Sequence, residues 1–305
     1  MKPMLAVDAD PEKIQYPCIV MPKWDGVRGI NLNGRFTGRS LEPHGNRWLQ
    51  QLFSYDAFQG LDGELVLNGA DPASLCRLTT SAVNTQEGEP DILWYLFDYI
   101  HPHVEGTSYM YRLVELEKHV KQLSNNMDRR VREAATRLRL VPWANCQNSD
   151  QLEQYETQAL QEGYEGIVIR DPFARHKNGR STVNQGGFLR IKRFSDGDAV
   201  VIGITEGRKN NNEATINALG RTERSSHKAN MVPNGMVGNM LCKDAEGKEF
   251  IVAPGCMTHM QRKHFFKHPE DLLGYTIRYK KFLHGQKDAP RFPTFQGFRI
   301  DADKV

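Results

Sequence analysis

Residues 21–30 read MPKWDGVRGI, and their side chains are of the kinds that handle phosphate. Lys23 carries an amine that becomes a nucleophile once it loses its proton. Asp25, two residues on, offers the hard oxygen that a divalent cation prefers. Gly26 lets the backbone turn tightly, and Arg28 presents a planar fork to a phosphate or a carboxylate. Trp24 has no assignable role beyond packing. The pattern Lys-x-Asp-Gly-x-Arg is short, so two readings stand at this point: a solvated charge beside a strand, and the nucleophile of a group transfer. An unperturbed lysine is neutral in only roughly one molecule in a few thousand at pH 7, so the second reading requires neighbouring cations and partial burial.

A reacting lysine needs a rigid frame. Runs rich in β-branched and aromatic residues, bounded by Gly, Asn, Asp or Pro, predict strands at PCIVMPK, GVRGINLNGRFTGRS, LDGELVLNGA, ILWYLFDYI, EGIVIRD and GGFLRIKRF. In LRIKRF, alternation puts Arg190 and Lys192 on one face and Leu189, Ile191 and Arg193 on the other. Between Tyr109 and Leu140 the apolar spacing turns helical, in LVELEKHVKQL and REAATRLRLV. A further helix starts at Ser149-Asp150, with Ser149 as its N-cap, and stops at Gly163. Strand runs with inserted helices predict an α+β fold.

After Phe194, DAVVIGITEG, GMVGNMLCKDAEGKEFIVAPG and GYTIRYKKFLHG predict about five strands, and THMQRKHFFKH one short helix, a set that fits a small OB-type barrel. The expected division is therefore 1–193 and 194–305. Within the second part, residues 206–235 lack periodicity, are rich in Asn and Ser, and read as a long basic loop. A loop of that length inside a compact domain is either functional or disordered.

Composition excludes several classes. With 305 residues, 39% of them apolar, and a mean hydropathy of −0.58, the chain can bury a large core, and no apolar run approaches a bilayer span. The start, MKPMLAVDADPEK, has no secretory pattern, so a cytoplasmic location is expected. Five scattered cysteines without a Cys-x-x-Cys pair predict neither a disulfide framework nor a zinc site. Residues 1–193 hold 23 Lys/Arg against 24 Asp/Glu and residues 194–305 hold 17 against 13, which makes the C-terminal third the basic part.

Five more stretches, LDGEL (61–65), YLFDY (95–99), EGIVIR (165–170), LRIKRF (189–194) and PRFPTFQGFRIDADK (290–304), follow Lys23 in order. Together with it they resemble the motifs of the covalent nucleotidyltransferases, and most closely those of the ATP-dependent polynucleotide ligases. GYEGIVIR, GRST (179–182), FLRIKRF, SSHK (225–228) and PRFP…FR extend the resemblance to the smallest virus-encoded DNA ligases, of the chlorella virus type, over essentially the whole chain.

The resemblance implies an adenylation (nucleotidyltransferase) domain of antiparallel sheets with helices, followed by an OB barrel. It implies that Lys23 takes AMP from ATP, passes it to the 5′-phosphate of a nick in duplex DNA, and that the 3′-hydroxyl then seals the strand. Lys192 and Arg190 would assist as cations, although the family has lysine at both positions. Arg28, Glu64, Phe97, Lys192, Arg291 and Arg299 would contact the nucleotide, Phe97 by stacking on adenine. Asp25, Glu165 and Glu64 would hold Mg²⁺, for which Mn²⁺ substitutes, with Asp62 a weaker candidate. Arg39 and Arg180 would meet the nick, and Arg208, Lys209, Arg221, Arg224 and Lys228 would make the basic segment a latch on the duplex. A hinge is expected near Ser195-Asp196-Gly197. The resemblance further implies a monomer, in the host cytoplasm if virus-encoded. An RNA ligase and a GTP-using mRNA-capping guanylyltransferase share the lysine motif and are the alternatives; NAD⁺ use is disfavoured because no extra segment precedes Lys23.

Overall fold

The segment CIVMPK buries five residues in a row and releases only Lys23 to partial exposure. A strand covered on both faces belongs inside a sheet. The computed structural model describes residues 1–282 and 289–299, and there Cys18–Lys23 is an inner strand of five, in the order Val7–Asp8, Leu189–Lys192, Gly166–Arg170, Cys18–Lys23, Ala144–Cys146. Register sets Lys23 opposite Gly166 and Gly166 opposite Lys192. The two lysines thus share one row, with a glycine between them. A Cβ on Gly166 (φ +151°) would lie 2.2 Å from the Ile191 carbonyl oxygen, so this position excludes a side chain.

A second sheet of five has the order Arg35–Thr37, Val27–Leu32, Leu61–Leu67, Ile92–Tyr99, Leu138–Leu140. Its large core gathers Phe36, Phe53, Phe58, Leu65, Trp94 and helix residues such as Leu113 and Leu116. A buried ion cluster ties this sheet to the first. Asp98 accepts hydrogen bonds from Arg112 Nε (2.7 Å) and Nη2 (3.1 Å), on helix Tyr109–Leu123, and from Arg170 Nη2 (2.6 Å), at the end of Gly166–Arg170. Burial alone would push the Asp98 carboxyl up, but the two guanidiniums hold it well below the usual carboxylate range. Arg170 is stacked between the rings of Tyr109 (3.9 Å) and Phe188 (4.2 Å).

Residues 1–192 form one unit and 193–305 another. In the second, the strand order is Glu249–Val252, Met231–Lys243, Phe194–Asn210, Thr276–Phe282, Arg291–Phe298. The outer strands meet through a parallel bridge, Ala253 to Thr294, with Ala253 N–H donating to Pro293 O (2.9 Å) and Phe295 N–H to Ala253 O (3.0 Å), so the sheet curls into a barrel. Helix His259–Lys267 starts on a reciprocal capping box between Thr258 and Gln261.

Several sequence expectations change. The helical stretch ends at Ala135, and Leu138–Leu140 is a strand parallel to Ile92–Tyr99, because Leu138 fills the core beside Trp94. The Val7–Asp8 strand also pairs in parallel, so both sheets are mixed. The N-cap of helix Ser149–Gln161 is Asn148, whose side chain accepts from Gln151 N–H, one residue before the expected Ser149. Ser195-Asp196-Gly197 is regular strand, paired with Lys281, Lys280 and Tyr279, and not a loop. Residues 206–235 are not an open loop either. The ladder continues to Asn210 opposite Met231, and Ala214–Ile216 pairs with Thr222–Arg224 in a hairpin. Alternation fails there because both faces of the hairpin are exposed, while ladder and turn hydrogen bonds still hold its shape. Residues 283–285 of the expected GYTIRYKKFLHG strand and 300–304 of the terminal motif lie outside the described residues.

Asp98→Ala leaves two guanidiniums buried without their counter-charge, and we expect a loss of about 3–5 kcal/mol in urea unfolding. Leu140→Ser, at an exposed position at the end of its strand, serves as the comparison and should cost far less.

Candidate active site

The residue before Gly166 serves both lysines of this row. Glu165 N–H donates to Lys23 O at 3.0 Å, which fixes the turn into the strand, and the carboxylate bridges both lysines of the row. Lys23 Nζ donates to Glu165 Oε2, and Lys192 Nζ pairs with Glu165 Oε1 at 3.5 Å. Lys23 Nζ also lies 3.5 Å from Trp24 O. Burial pulls Lys192 down from the usual lysine range; Glu165 opposes this, and Arg190 and Lys23 add to it.

Glu64 comes from the other sheet, opposite Arg28 in the register of Leu61–Leu67 with Val27–Leu32. Burial pushes its carboxyl up to about 7; Lys23 and Arg28 pull the other way, and the nearby Asp25 and Glu165 add to the rise. Gly26 makes the approach of the two sheets possible, since a Cβ there would sit 2.1 Å from Leu65 O. Lys23, Asp25, Glu64 and Glu165 are thus brought together, the grouping that the family resemblance implied.

Of these four, Lys23 and Glu64 line a cavity of about 400 Å³, together with Trp24, Phe97, Arg170 and Phe188 among others. Arg39, in an exposed turn, and Arg180, whose Nη1 donates to Ala6 O at 2.9 Å, line it as well. Arg190 lines it too, but its Nε is paired with Asp8 at 2.6 Å. Arg28 differs most from expectation: it is bidentate to the buried Asp62 through Nε and Nη2 and lies 4.6 Å over the Phe97 ring. Much of its donor capacity is spent inside the protein, and Asp62, 1% exposed, is tied to Arg28 and unavailable to a cation.

Arg291 and Arg299 lie in the second unit. Arg291 opens the last strand, 6.0 Å over the Phe282 ring, and Arg299 Nε pairs with Asp198 at 2.8 Å. Arg208 and Lys209 are exposed on the long Phe194–Asn210 strand. Arg221 and Arg224 belong to the hairpin, Arg224 donating to Asn212 O, and Lys228 is exposed in the short turn before Met231.

Sequence reasoning missed Arg170. It shares the cavity-lining side of its strand with Val168, and its Nε and Nη1, though buried, find no hydrogen-bond partner among the described residues. An arginine closing the apolar run GIVI was the available signal.

Residues 3–185 match the family described as ATP dependent DNA ligase domain, and residues 230–299 match the DNA ligase OB-like domain. The chain belongs to the ATP-dependent DNA ligase domain family. A solved chlorella virus DNA ligase-adenylate is 26% identical to it, with 98% of each chain covered and a TM-score of 0.54. A Lig E DNA ligase, described as binding DNA with a minimal scaffold, has the same fold at a TM-score of 0.71 and 20% identity, over 98% of this chain and 99% of that one. The DNA ligase of African swine fever virus is 21% identical over 240 residues, 78% of this chain and 48% of the viral protein, so the chain spans about half the length of that curated relative.

The raised Glu64 pKa fixes the sign of a pH effect. Its folded value, about 7, exceeds its ordinary 4.5, so the protonated folded form is favoured at low pH and that stability is lost as pH rises from about 4.5 through 7. In thermal melts without nucleotide or metal, Glu64→Gln should flatten the fall in Tm between pH 5 and pH 8 relative to the parent protein.

Proposed function

We propose that this protein seals nicks in duplex DNA with ATP, through a lysyl-AMP intermediate on Lys23. The observation that carries the reading is the placement of Lys23. Its amine sits at a cavity edge, held by Glu165 and bordered by carboxylates and cations, in a member of the ATP-dependent DNA ligase domain family.

Lys23 Nζ first gives up a proton, for which Glu165 Oε2 is already a hydrogen-bonded acceptor. Its lone pair then attacks the α-phosphorus of ATP; an N–P bond forms, the bond to the bridging oxygen breaks, and pyrophosphate leaves with that electron pair. In the second step an oxygen of the DNA 5′-phosphate attacks the same phosphorus and Lys23 leaves. In the third, the 3′-hydroxyl attacks the 5′-phosphate, AMP departs, and the phosphodiester is closed. Each step is a phosphoryl transfer, in which positioning and charge neutralisation supply most of the catalysis.

The chain's own groups divide that work. Phe97 offers a ring for the adenine, and the unpartnered Arg170 nitrogens offer donors to its edge or to the ribose. Arg39, Arg180 and Arg190 at the cavity suit phosphates of the nick and of ATP. Arg291 and Arg299 are assigned to the departing pyrophosphate. Among the described residues no group of three His, Cys, Asp or Glu is gathered to hold a metal by itself. Mg²⁺ keeps waters and takes phosphate oxygens beside one or two carboxylates. Asp25, Glu64 and Glu165 are the ones that would hold it, and when bound it would neutralise phosphate charge.

The basic residues of 206–235 are assigned to the DNA backbone, which predicts sequence-independent and salt-dependent binding.

Incubation with α-labelled ATP, GTP or NAD⁺ and a divalent cation tests the chemistry. Label from ATP, absent in Lys23→Ala and chased onto nicked duplex, is expected; label from GTP alone would make the protein a guanylyltransferase, and a chase only onto nicked RNA an RNA ligase. Replacing residues 211–230 by an Asn-Gly turn, which keeps the Asn210–Met231 ladder, should weaken nick binding while ATP labelling stays at the parent rate. Equal loss of both would reject the DNA-contact role of that segment.

A further inference from the structure

Trp24 has no part in the steps above, although it directly follows the reacting lysine. Its indole lies between two tyrosines: the Tyr95 ring is 4.2 Å away and tilted by 34°, and the Tyr164 ring meets it edge-on at 4.8 Å. Each of the three rings stands one step from a different group of the site. Trp24 follows Lys23, Tyr164 precedes Glu165, and Tyr95 is the ladder partner of Glu64. The rings also join two separate cores. Trp24 and Tyr95 pack on the cluster of the second sheet, whereas Tyr164 packs on the cluster beneath the lysine sheet.

The indole Nε1 is buried and has no hydrogen-bond partner among the described residues, so ring contacts hold the side chain. The Trp24 carbonyl oxygen is 3.5 Å from Lys23 Nζ, so the amine has an acceptor on this residue besides Glu165. Aromatic pairs prefer offset, tilted and edge-to-face arrangements, so the trio has a defined geometry.

We infer that Trp24, clamped between Tyr95 and Tyr164, is a positioning residue that sets the Lys23 amine relative to the Glu64 and Glu165 carboxylates across the two sheets. The inference rests on the reading of Lys23 as the nucleophile. Trp24 lines the cavity as well, but the base and phosphate contacts are assigned to Phe97 and the arginines, so its signature is a loss in rate with ATP binding largely retained.

Two measurements test it. Rates of Lys23 labelling at varied ATP are compared for the parent protein, Trp24→Leu, Trp24→Phe, Tyr164→Leu and the double leucine variant, with melting curves as the folding check. Trp24→Leu should lower kcat roughly 10- to 100-fold, as a misplacement of about 1 Å does. The KM for ATP should stay within about twofold, the mark of an interaction that matters only beyond binding. Trp24→Phe, which keeps a ring, should recover most of the rate, and the double variant should be little worse than the worse single one. Parent-like kcat in Trp24→Leu, equally slow Phe and Leu variants, or losses that multiply would overturn the inference.

The second measurement needs no ATP: the reactivity of Lys23 toward trinitrobenzenesulfonate, mapped by peptide mass spectrometry. It should rise in Trp24→Leu as the amine is released, and return in Trp24→Phe; unchanged reactivity refutes the clamp. Parent protein that takes no label from ATP rejects the ligase reading itself, and the reactivity data then still decide the role of Trp24.

Discussion

Everything in the first unit is arranged around one buried carboxylate. Asp98 belongs to the second sheet, Arg112 to a helix and Arg170 to the first sheet, and all three are withdrawn from water. Hydrophobic packing brings the sheets together but is non-directional. Two guanidiniums on one carboxylate are directional, and they fix how the strand with Phe97 sits against the strand that follows Glu165. Tyr109, against which Arg170 stacks, adds a hydrogen bond from its hydroxyl to Phe97 O at 2.7 Å. The cavity wall is therefore held by charge in a place where apolar residues alone would leave the sheets free to slide.

A second level of order uses the same logic at the surface of the cavity. Glu165 is to Lys23 and Lys192 what Asp98 is to Arg112 and Arg170: one acceptor shared by two cations from different strands. The difference is exposure. The Asp98 carboxylate is 1% exposed and meets the cavity only through Arg170, whereas Lys23, held by Glu165, is partly exposed and lines the cavity itself. Glu64 stands beside these groups, and burial pushes its carboxyl up to about 7.

Much of this was legible in the sequence because the motif strands carry their own punctuation. PCIVMPK, LDGEL and ILWYLFDYI have β-rich runs with clear ends, and their order brings lysine and carboxylates together. What was not legible depends on partners. Arg28 is identical in sequence terms to a phosphate-binding arginine; the register sets it opposite Glu64, and only the fold shows its side chain reaching diagonally to Asp62. Leu138–Leu140 follows a helix without any break residue, and becomes a strand because a slot beside Trp94 is open. The 206–235 segment lacks alternation because no core lies on either face, so periodicity had nothing to report.

The ribbon that runs from the barrel to Asn210 and returns from Met231 has one more consequence. At its far end Ala214, Thr215, Ile216, Thr222, Glu223 and Arg224 are all exposed. Substitutions at such positions usually change stability by no more than about 0.5 kcal/mol. The shape comes from backbone ladders together with side-chain hydrogen bonds of Asn212 and Asn217, and the barrel core does not register what the other, exposed side chains are. Charge can be added to or removed from this tip by drift without cost to folding, so surface affinity and fold stability are free to evolve on separate schedules.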